Sequence, residues 1–170
     1  MSRLLVRKAA PSDRDALRAA IAELHEAERR ISPTTRLPGE ETADAYLVWM
    51  LAQVAEHGGV VLVAEFGGVF AGFAAGWIVT ENNIEETPDS NRFGLISDIC
   101  VLAPFRGRRI ASRLLDALSA HLMQSGGVAR LRLCVLAGNA AAIAAYERSG
   151  FSPYEVVYEK LSLSAGEPSE

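Results

Sequence analysis

Asp98-Ile99-Cys100-Val101-Leu102-Ala103-Pro104-Phe105-Arg106-Gly107-Arg108-Arg109-Ile110-Ala111 decides how the rest of the chain is read. The apolar run ending at Val101 suits a strand, Pro104 and Gly107 mark a turn, and apolar residues then recur at helical spacing. Ile110, Leu114, Leu118 and Leu122 form one row, and Gly126-Gly127 closes the predicted helix at about Ser125. A helix that opens straight from a turn presents unpaired N–H groups, and its dipole adds to their pull on an anion. Gly107 lets backbone approach a phosphate closely. Four of the 17 basic residues, Arg106, Arg108, Arg109 and Arg113, fall within eight positions. Arginines in a first helical turn oppose the dipole, so their crowding asks for an anionic ligand. A solvated basic turn is the plainer alternative.

Downstream, Arg130–Leu136 alternates, with Leu131, Leu133 and Val135 on one face and Arg130, Arg132 and Cys134 on the other. A short helix is expected over Asn139–Ser149, then Gly150-Phe151 and a last strand through about Leu161. Upstream, Leu4–Lys8 predicts a first strand. A helix follows, with Ser12 as N-cap and Leu17, Ile21, Leu24 and Ala27 as its apolar stripe, fading near Ile31. Ser32–Gly39 is a loop. A second helix from about Glu41 to His57 turns Tyr46, Trp49 or Met50, and Val54 inward. Val60–Phe66 and Val69–Thr80 flank Gly67-Gly68, a hairpin signal. Glu81–Asn91 is an acidic loop before the strand Arg92–Val101. Alternating strands and helices make the fold α/β or α+β.

The 170 residues fit one domain, with 49% apolar and 22% charged residues marking ordinary globular material. A net charge of −4 argues against a nucleic-acid partner, which would need a basic face. Glu65, Arg92 and Asp98 break the apolar stretches well short of a membrane span. The opening Met1-Ser2-Arg3-Leu4-Leu5 is too short for a secretory signal. Cys100 and Cys134 both sit in apolar runs, lack metal-ligand spacing and read as buried thiols. A cytoplasmic protein with neither membrane nor nucleic-acid partner is the expectation.

The turn resembles the cofactor motif of the GCN5-related N-acetyltransferase (GNAT) superfamily, Gln/Arg-x-x-Gly-x-Gly/Ala. Arg106 and Ala111 match, while Arg109 stands at the central glycine. A second stretch strengthens the resemblance: Asn139, Tyr146 and Gly150-Phe151 follow at the family's spacing, and the two motifs lie the usual distance apart. The resemblance implies a mixed, mostly antiparallel sheet with a parallel pair splayed around a cofactor site, helices on both faces, and a single acetyltransferase domain over 1–163 before a polar tail, 164–170. It implies acetyl-CoA as donor, with no metal. Arg106, Gly107, Arg108, Arg109, Ile110 and Ala111 would hold the pyrophosphate, the Ile99-Cys100-Val101 backbone the pantetheine arm, and Asn139 a further contact. Arg109 leaves two readings open: a backbone geometry that tolerates a non-glycine residue, or weakened cofactor affinity.

Tyr146 is implied as general acid for the departing thiolate, a role its phenol can fill; a core tyrosine beside Ile143 is the plainer reading. Asn139 also reads as a simple helix N-cap, and both roles can hold at once. The acceptor amine must lose a proton, at a cost of roughly 4–5 kcal/mol for a lysine-like group at pH 7, before it attacks the thioester directly. Asp98 is the best-placed acid in sequence to take it, or is a strand carboxylate paired with an arginine. A strand N–H near Ile99–Val101 would steady the developing oxyanion. Glu81, Glu85 and Glu86 are alternatives for orienting a cationic acceptor. The cysteines lack a neighbouring His and do not suit a covalent acetyl-cysteine route. His25, His57 and His121 make no metal pattern. The expected activity is acetyl transfer to a primary amine of a small molecule or of a protein or peptide, with a non-catalytic acyl-CoA-binding or sensor domain as the alternative. Dimers are common in the superfamily, so a homodimer stays open, though no apolar stripe demands one.

Overall fold

The computed structural model describes residues 3–161, so the polar tail expected over 164–170 lies outside the described residues. Its strands are β1 (Leu4–Lys8), β2 (Val60–Phe66), β3 (Val69–Thr80), β4 (Arg92–Val101) and β5 (Leu131–Leu133). Its helices are α1 (Arg14–Ile31), α2 (Gly39–Glu56), α3 (Ile110–Gly126) and α4 (Ala140–Arg148). The strands form one sheet in the order β1-β2-β3-β4-β5, antiparallel throughout except for the parallel β4–β5 pair.

Both faces of this sheet are covered, which is why β2 reads as a continuous apolar run rather than an alternating one. Val61 and Val63 join Leu17, Ile21, Leu47 and Met50 beneath α1 and α2. Val60, Leu62 and Ala64 join Leu114, Leu118 and Leu122 beneath α3 on the other face. Met50 rather than Trp49 fills the α2 core position, and Trp49 lies 45% exposed.

One irregularity shapes the middle of the sheet. Along β3–β4, Ala75 pairs with Asp98 but Gly76 pairs with Ile96, which leaves Ser97 as an extra residue in β4. A single added residue inverts which face every later side chain meets. Before it, Leu95 packs toward α1 and α2, and Ile96 toward α3. After it, Cys100 packs toward α1 and α2, and Ile99 and Val101 toward α3. The parallel pairing with β5 also ends there, spanning only Gly94–Ile96 against Leu131–Leu133. From Ser97 onward, β4 has a strand neighbour on one side only.

Four expectations are corrected. The strand foreseen over Arg130–Leu136 is paired only at Leu131–Leu133, because its partner diverges. No strand forms between Phe151 and Leu161, where the main chain finds no neighbour to pair with. Ser12 does not cap α1. A 3-10 turn, Pro11–Asp13, comes first, and the Asp13 carboxylate accepts from the Ala10 N–H at 2.7 Å. Arg7 grips the same carboxylate, at 2.7 and 2.9 Å, and holds its pKa down at about 2. Finally, Cys134 is exposed, since β5 ends before it, and only Cys100 is buried.

The α3 core row anchors the helix that begins at the arginine turn. Leu118, with 0% of its surface exposed, tests it: Leu118→Ala should cost about 3 kcal/mol, read as a lower urea midpoint. A loss under about 1 kcal/mol would mean that the row does not carry the helix.

Candidate active site

The turn between β4 and α3 starts with a short 3-10 helix, Ala103–Phe105. Gly107 at φ 75° and Arg109 at φ 60° both adopt left-handed backbone. Arg109 is the sole non-glycine residue to do so among the described residues. Arg109 thus keeps the conformation that a glycine would take without strain, at a cost of about 1–2 kcal/mol. The result is a row of donors. Arg113 is the first residue of the helix start whose N–H reaches a carbonyl, that of Arg109 at 3.2 Å, and no acceptor among the described residues meets the N–H groups of Gly107 through Ser112. Such a run of unpaired amides suits an anion.

The arginines divide their work. Arg106 turns back, its Nε donating to the Val101 carbonyl at 3.0 Å and its Nη2 to Glu23 of α1 at 3.0 Å. Its guanidinium therefore braces the turn against α1. Arg108 lies over the Phe66 ring, 4.9 Å from its centroid, and Arg109 is exposed on the turn. Ile110 is buried as the first residue of the α3 core row, so its amide rather than its side chain is offered, as with Ala111.

Beyond the bulge, Asp98 points toward α2 and is 6% exposed. The Tyr46 hydroxyl donates to both its oxygens, at 3.0 and 3.1 Å, and also lies 3.3 Å from Ser97 Oγ. Burial pushes the Asp98 carboxyl up to about 6, and Glu28 adds to the rise, while the hydrogen bonds from Ser97 and Tyr46 oppose it. Asp98 is not paired with an arginine. An aromatic row adjoins it: His25 edge-on to Tyr46 at 4.6 Å, Tyr46 to Trp49 at 5.2 Å, and Trp49 to the buried Trp77 at 5.5 Å. Cys100, on the same strand face, has its thiol pushed up to about 12 by burial, which keeps it protonated and unsuited to nucleophilic attack.

Across the gap, α4 carries Tyr146. Its ring packs against the α3-side core and stands edge-on to Phe151 at 6.3 Å. Burial raises the phenol pKa, and the carboxylates of Glu28 and Asp98 raise it further. The hydroxyl has no hydrogen-bond partner among the described residues. The end of α1 closes in on the same region: a Cβ placed on Gly138 would lie 2.8 Å from Ile31 Cγ2. Asn139 caps α4, its Oδ1 accepting from the Ala142 N–H at 3.2 Å, which leaves its amide nitrogen available.

Asp98 and Tyr146 lie near enough for the carboxylate to act on the phenol, and Glu28 bears on both. The acidic loop is different. Glu86 and Asp89 are tied to Arg132 and Arg130 at 3.1 and 3.2 Å, so Glu86 is not free to orient an acceptor. Sequence reasoning missed Tyr46 as the partner of Asp98, and Glu28 and Glu23 altogether. Glu28 falls on the line of the apolar stripe of α1, four residues after Leu24 and seven after Ile21, where an acidic residue reads as the end of the stripe. No cluster of His, Cys, Asp or Glu suited to a metal ion occurs among the described residues. No helix among them is long and apolar enough to cross a membrane.

The sequence model of the Acetyltransferase (GNAT) family matches residues 20–151, a span that takes in α1 from Ala20 onward, the turn, Asn139, Tyr146 and Gly150-Phe151. The chain belongs to that family. No curated protein matches this GNAT chain. Among solved structures, a mutant protein from Bacillus halodurans shares 21% identity at a TM-score of 0.80, covering 94% of this chain and 99% of that one. The aminoglycoside N-acetyltransferase AAC(6')-Iy in complex with CoA shares 19% identity at a TM-score of 0.69, covering 96% and 97%. A predicted acetyltransferase with acetyl-CoA from Clostridium acetobutylicum shares 18% at 0.68, covering 95% and 97%. At these identities the likeness is one of fold: the mixed sheet with its parallel pair and flanking helices is the GNAT architecture.

Two measurements test this geometry. Arg109→Gly should raise stability by about 1 kcal/mol by relieving the left-handed strain; a destabilised variant would contradict that backbone conformation. Asp98 rises from 3.8 to about 6 on folding, so the native state holds a proton that the unfolded chain releases between those values. Stability should fall as pH climbs from about 4 to about 6 and stay lower above, by about 3 kcal/mol. Asp98→Asn should remove that slope, seen as the difference between the two proteins' urea midpoints from pH 4 to 7. Parallel profiles would show that Asp98 is not buried as described.

Proposed function

We propose that this GNAT chain is an acetyltransferase that moves an acetyl group from acetyl-CoA to a primary amine of a small molecule or peptide by direct attack. One observation carries the reading: the unpaired N–H row from Gly107 to Ser112 opens beside the stretch of β4 that β5 has left. A diphosphate suits this row, because its amides have no acceptor of their own and Arg108 and Arg109 stand exposed on the same turn. Arg106 would act by holding the turn in shape. The free side of β4 at Ile99, Cys100 and Val101 offers main-chain groups to an extended amide arm, and the Asn139 amide nitrogen offers one more donor. Acetyl-CoA, when bound, supplies the activated thioester.

In this reading Asp98 receives the proton of the incoming ammonium. Raising its basicity from 3.8 to about 6 recovers about 3 kcal/mol of the cost of that transfer. Tyr46 holds the carboxylate in place, and Glu28 adds negative charge that favours a cationic acceptor. The aromatic row from Tyr46 to Trp49 offers faces to its carbon skeleton or its charge. Tyr146, whose hydroxyl is uncommitted, donates its proton at the departing sulfur. Most of the acceleration would come from holding amine and thioester together.

A non-catalytic acyl-CoA-binding or sensor domain is the alternative, and Arg109 in place of the motif's glycine is what favours it. The left-handed backbone at Arg109 serves cofactor binding in both readings, so turnover is what separates them. A free-thiol assay with a panel of primary amines tests it. Tyr146→Phe should lower kcat about 100-fold while CoA affinity stays within twofold. Absence of thiol release by the folded wild-type protein with every amine would favour the binding domain, and an unchanged kcat in Tyr146→Phe would remove the phenol from the chemistry.

A further inference from the structure

One strip of α1 borders the candidate site. His25, Glu28 and Ile31 follow at three-residue spacing, so they are neighbours along the helix surface. His25 stands edge-on to Tyr46, whose hydroxyl holds Asp98. Ile31 lies against Gly138, next to the Asn139 that caps the helix carrying Tyr146. Glu28 is thus placed between the two ends of the site, about 4.5 Å along the axis from each of these contacts. Its charge bears on His25, Tyr46, Asp98 and Tyr146 alike. The proposed chemistry gives the proton of the reacting amine to Asp98, and it leaves the Glu28 carboxylate without a bond to make.

That carboxylate has a counter-ion of its own. Arg36, from the loop between α1 and α2, brings its Nε to 3.3 Å from Glu28 Oε2, and neither side chain has another charged partner among the described residues. The pair is loosely built. Its side chains are 33% and 44% exposed, where water screens most of the attraction. The main chain of Arg36 and Leu37 makes no hydrogen bond among the described residues. Arg7 shows the contrast: it grips Asp13 with two hydrogen bonds and braces a strand against a turn. The Glu28–Arg36 contact braces nothing comparable, and a competing cation can break it at little cost.

We propose that Glu28 seats a second cationic group of the acceptor and that Arg36 competes for the same carboxylate. The acceptor is then a small dication: one amine meets Asp98 and is acetylated, while the other stays charged on Glu28 and displaces Arg36. An ammonium suits the exchange, being compact and carrying three donors where Arg36 offers Nε alone. A monoamine would leave the ion pair standing, and an acceptor bearing a carboxylate would be drawn to Arg36 instead. The proposal rests on the acetyl-transfer reading for its reacting amine, though not for the seat itself.

Kinetics with putrescine and cadaverine against butylamine and pentylamine test it. The wild type should favour the diamines about fivefold in kcat/KM, the worth of a half-exposed ion pair, with the difference falling in KM. Glu28→Gln should bring that ratio close to one, whereas Arg36→Gln, by removing the competitor, should raise it about threefold. Glu28→Arg combined with Arg36→Glu restores an ion pair and should keep the melting temperature, yet lose the preference. A pair with a purely structural role would do the reverse: both single variants would fall together and the exchange would rescue them. Calorimetric titration of cadaverine and pentylamine into the protein, with and without CoA, reads the same preference without turnover. Cadaverine binding that depends on Glu28 in a protein that releases no thiol would keep the seat and remove the enzyme reading. Equal affinity for cadaverine and pentylamine, a lowered ratio in Arg36→Gln, or a preference for γ-aminobutyrate that Arg36→Gln abolishes would each overturn the seat.

Discussion

The extra residue at Ser97 in β4 is the constraint on which the rest of the architecture turns. A regular strand at that point would stay parallel to β5 and would send Asp98 toward α3. The bulge instead parts the two strands and turns Asp98 toward Tyr46. The opening between β4 and β5 and the buried carboxylate beside it are two results of one local insertion. Bulges cost ladder hydrogen bonds, and they persist where re-aiming a side chain or ending a pairing is worth that cost. Here it does both within a few residues.

A second local cost sits at Arg109. Left-handed backbone at an arginine is strained, yet the same conformation lines up the amides that precede α3. The surrounding structure over-determines it. Ile110 is locked into the core on one side, and on the other Arg106 is fastened to the Val101 carbonyl and to Glu23. A basic residue at this position also adds positive charge where the amides already favour an anion.

Much of the fold was legible because it is written in short-range patterns. The Gly67-Gly68 hairpin, the Ile110–Leu122 row and the glycines that end helices each announce themselves within a few residues. The turn and the spacing from Asn139 to Gly150 marked the region of the candidate site for the same reason. What stayed hidden depends on partners distant in sequence. Ser97 leaves no compositional trace as a bulge, because an added residue is visible only against the strand opposite. Tyr46 and Asp98 are 52 positions apart, and a helix reading assigns Tyr46 to the core by its ring without revealing what its hydroxyl meets. Cys134 reads as buried because its neighbours are apolar, whereas β5 stops before it as its partner veers away. The segment after Phe151 has a strand's alternation, but alternation does not supply a neighbour.

The link from Arg106 to Glu23 has a mechanical meaning. Glu23 and Glu28 belong to one unbroken helix, five residues or about 7.5 Å apart along its axis. Glu23 is fastened to the turn at one edge of the opening, and Glu28 bears on Asp98 and Tyr146 at the other. Helix α1 therefore works as a gauge bar: whatever settles into the turn is kept at a set separation from the acidic end, independent of how the surface loops move.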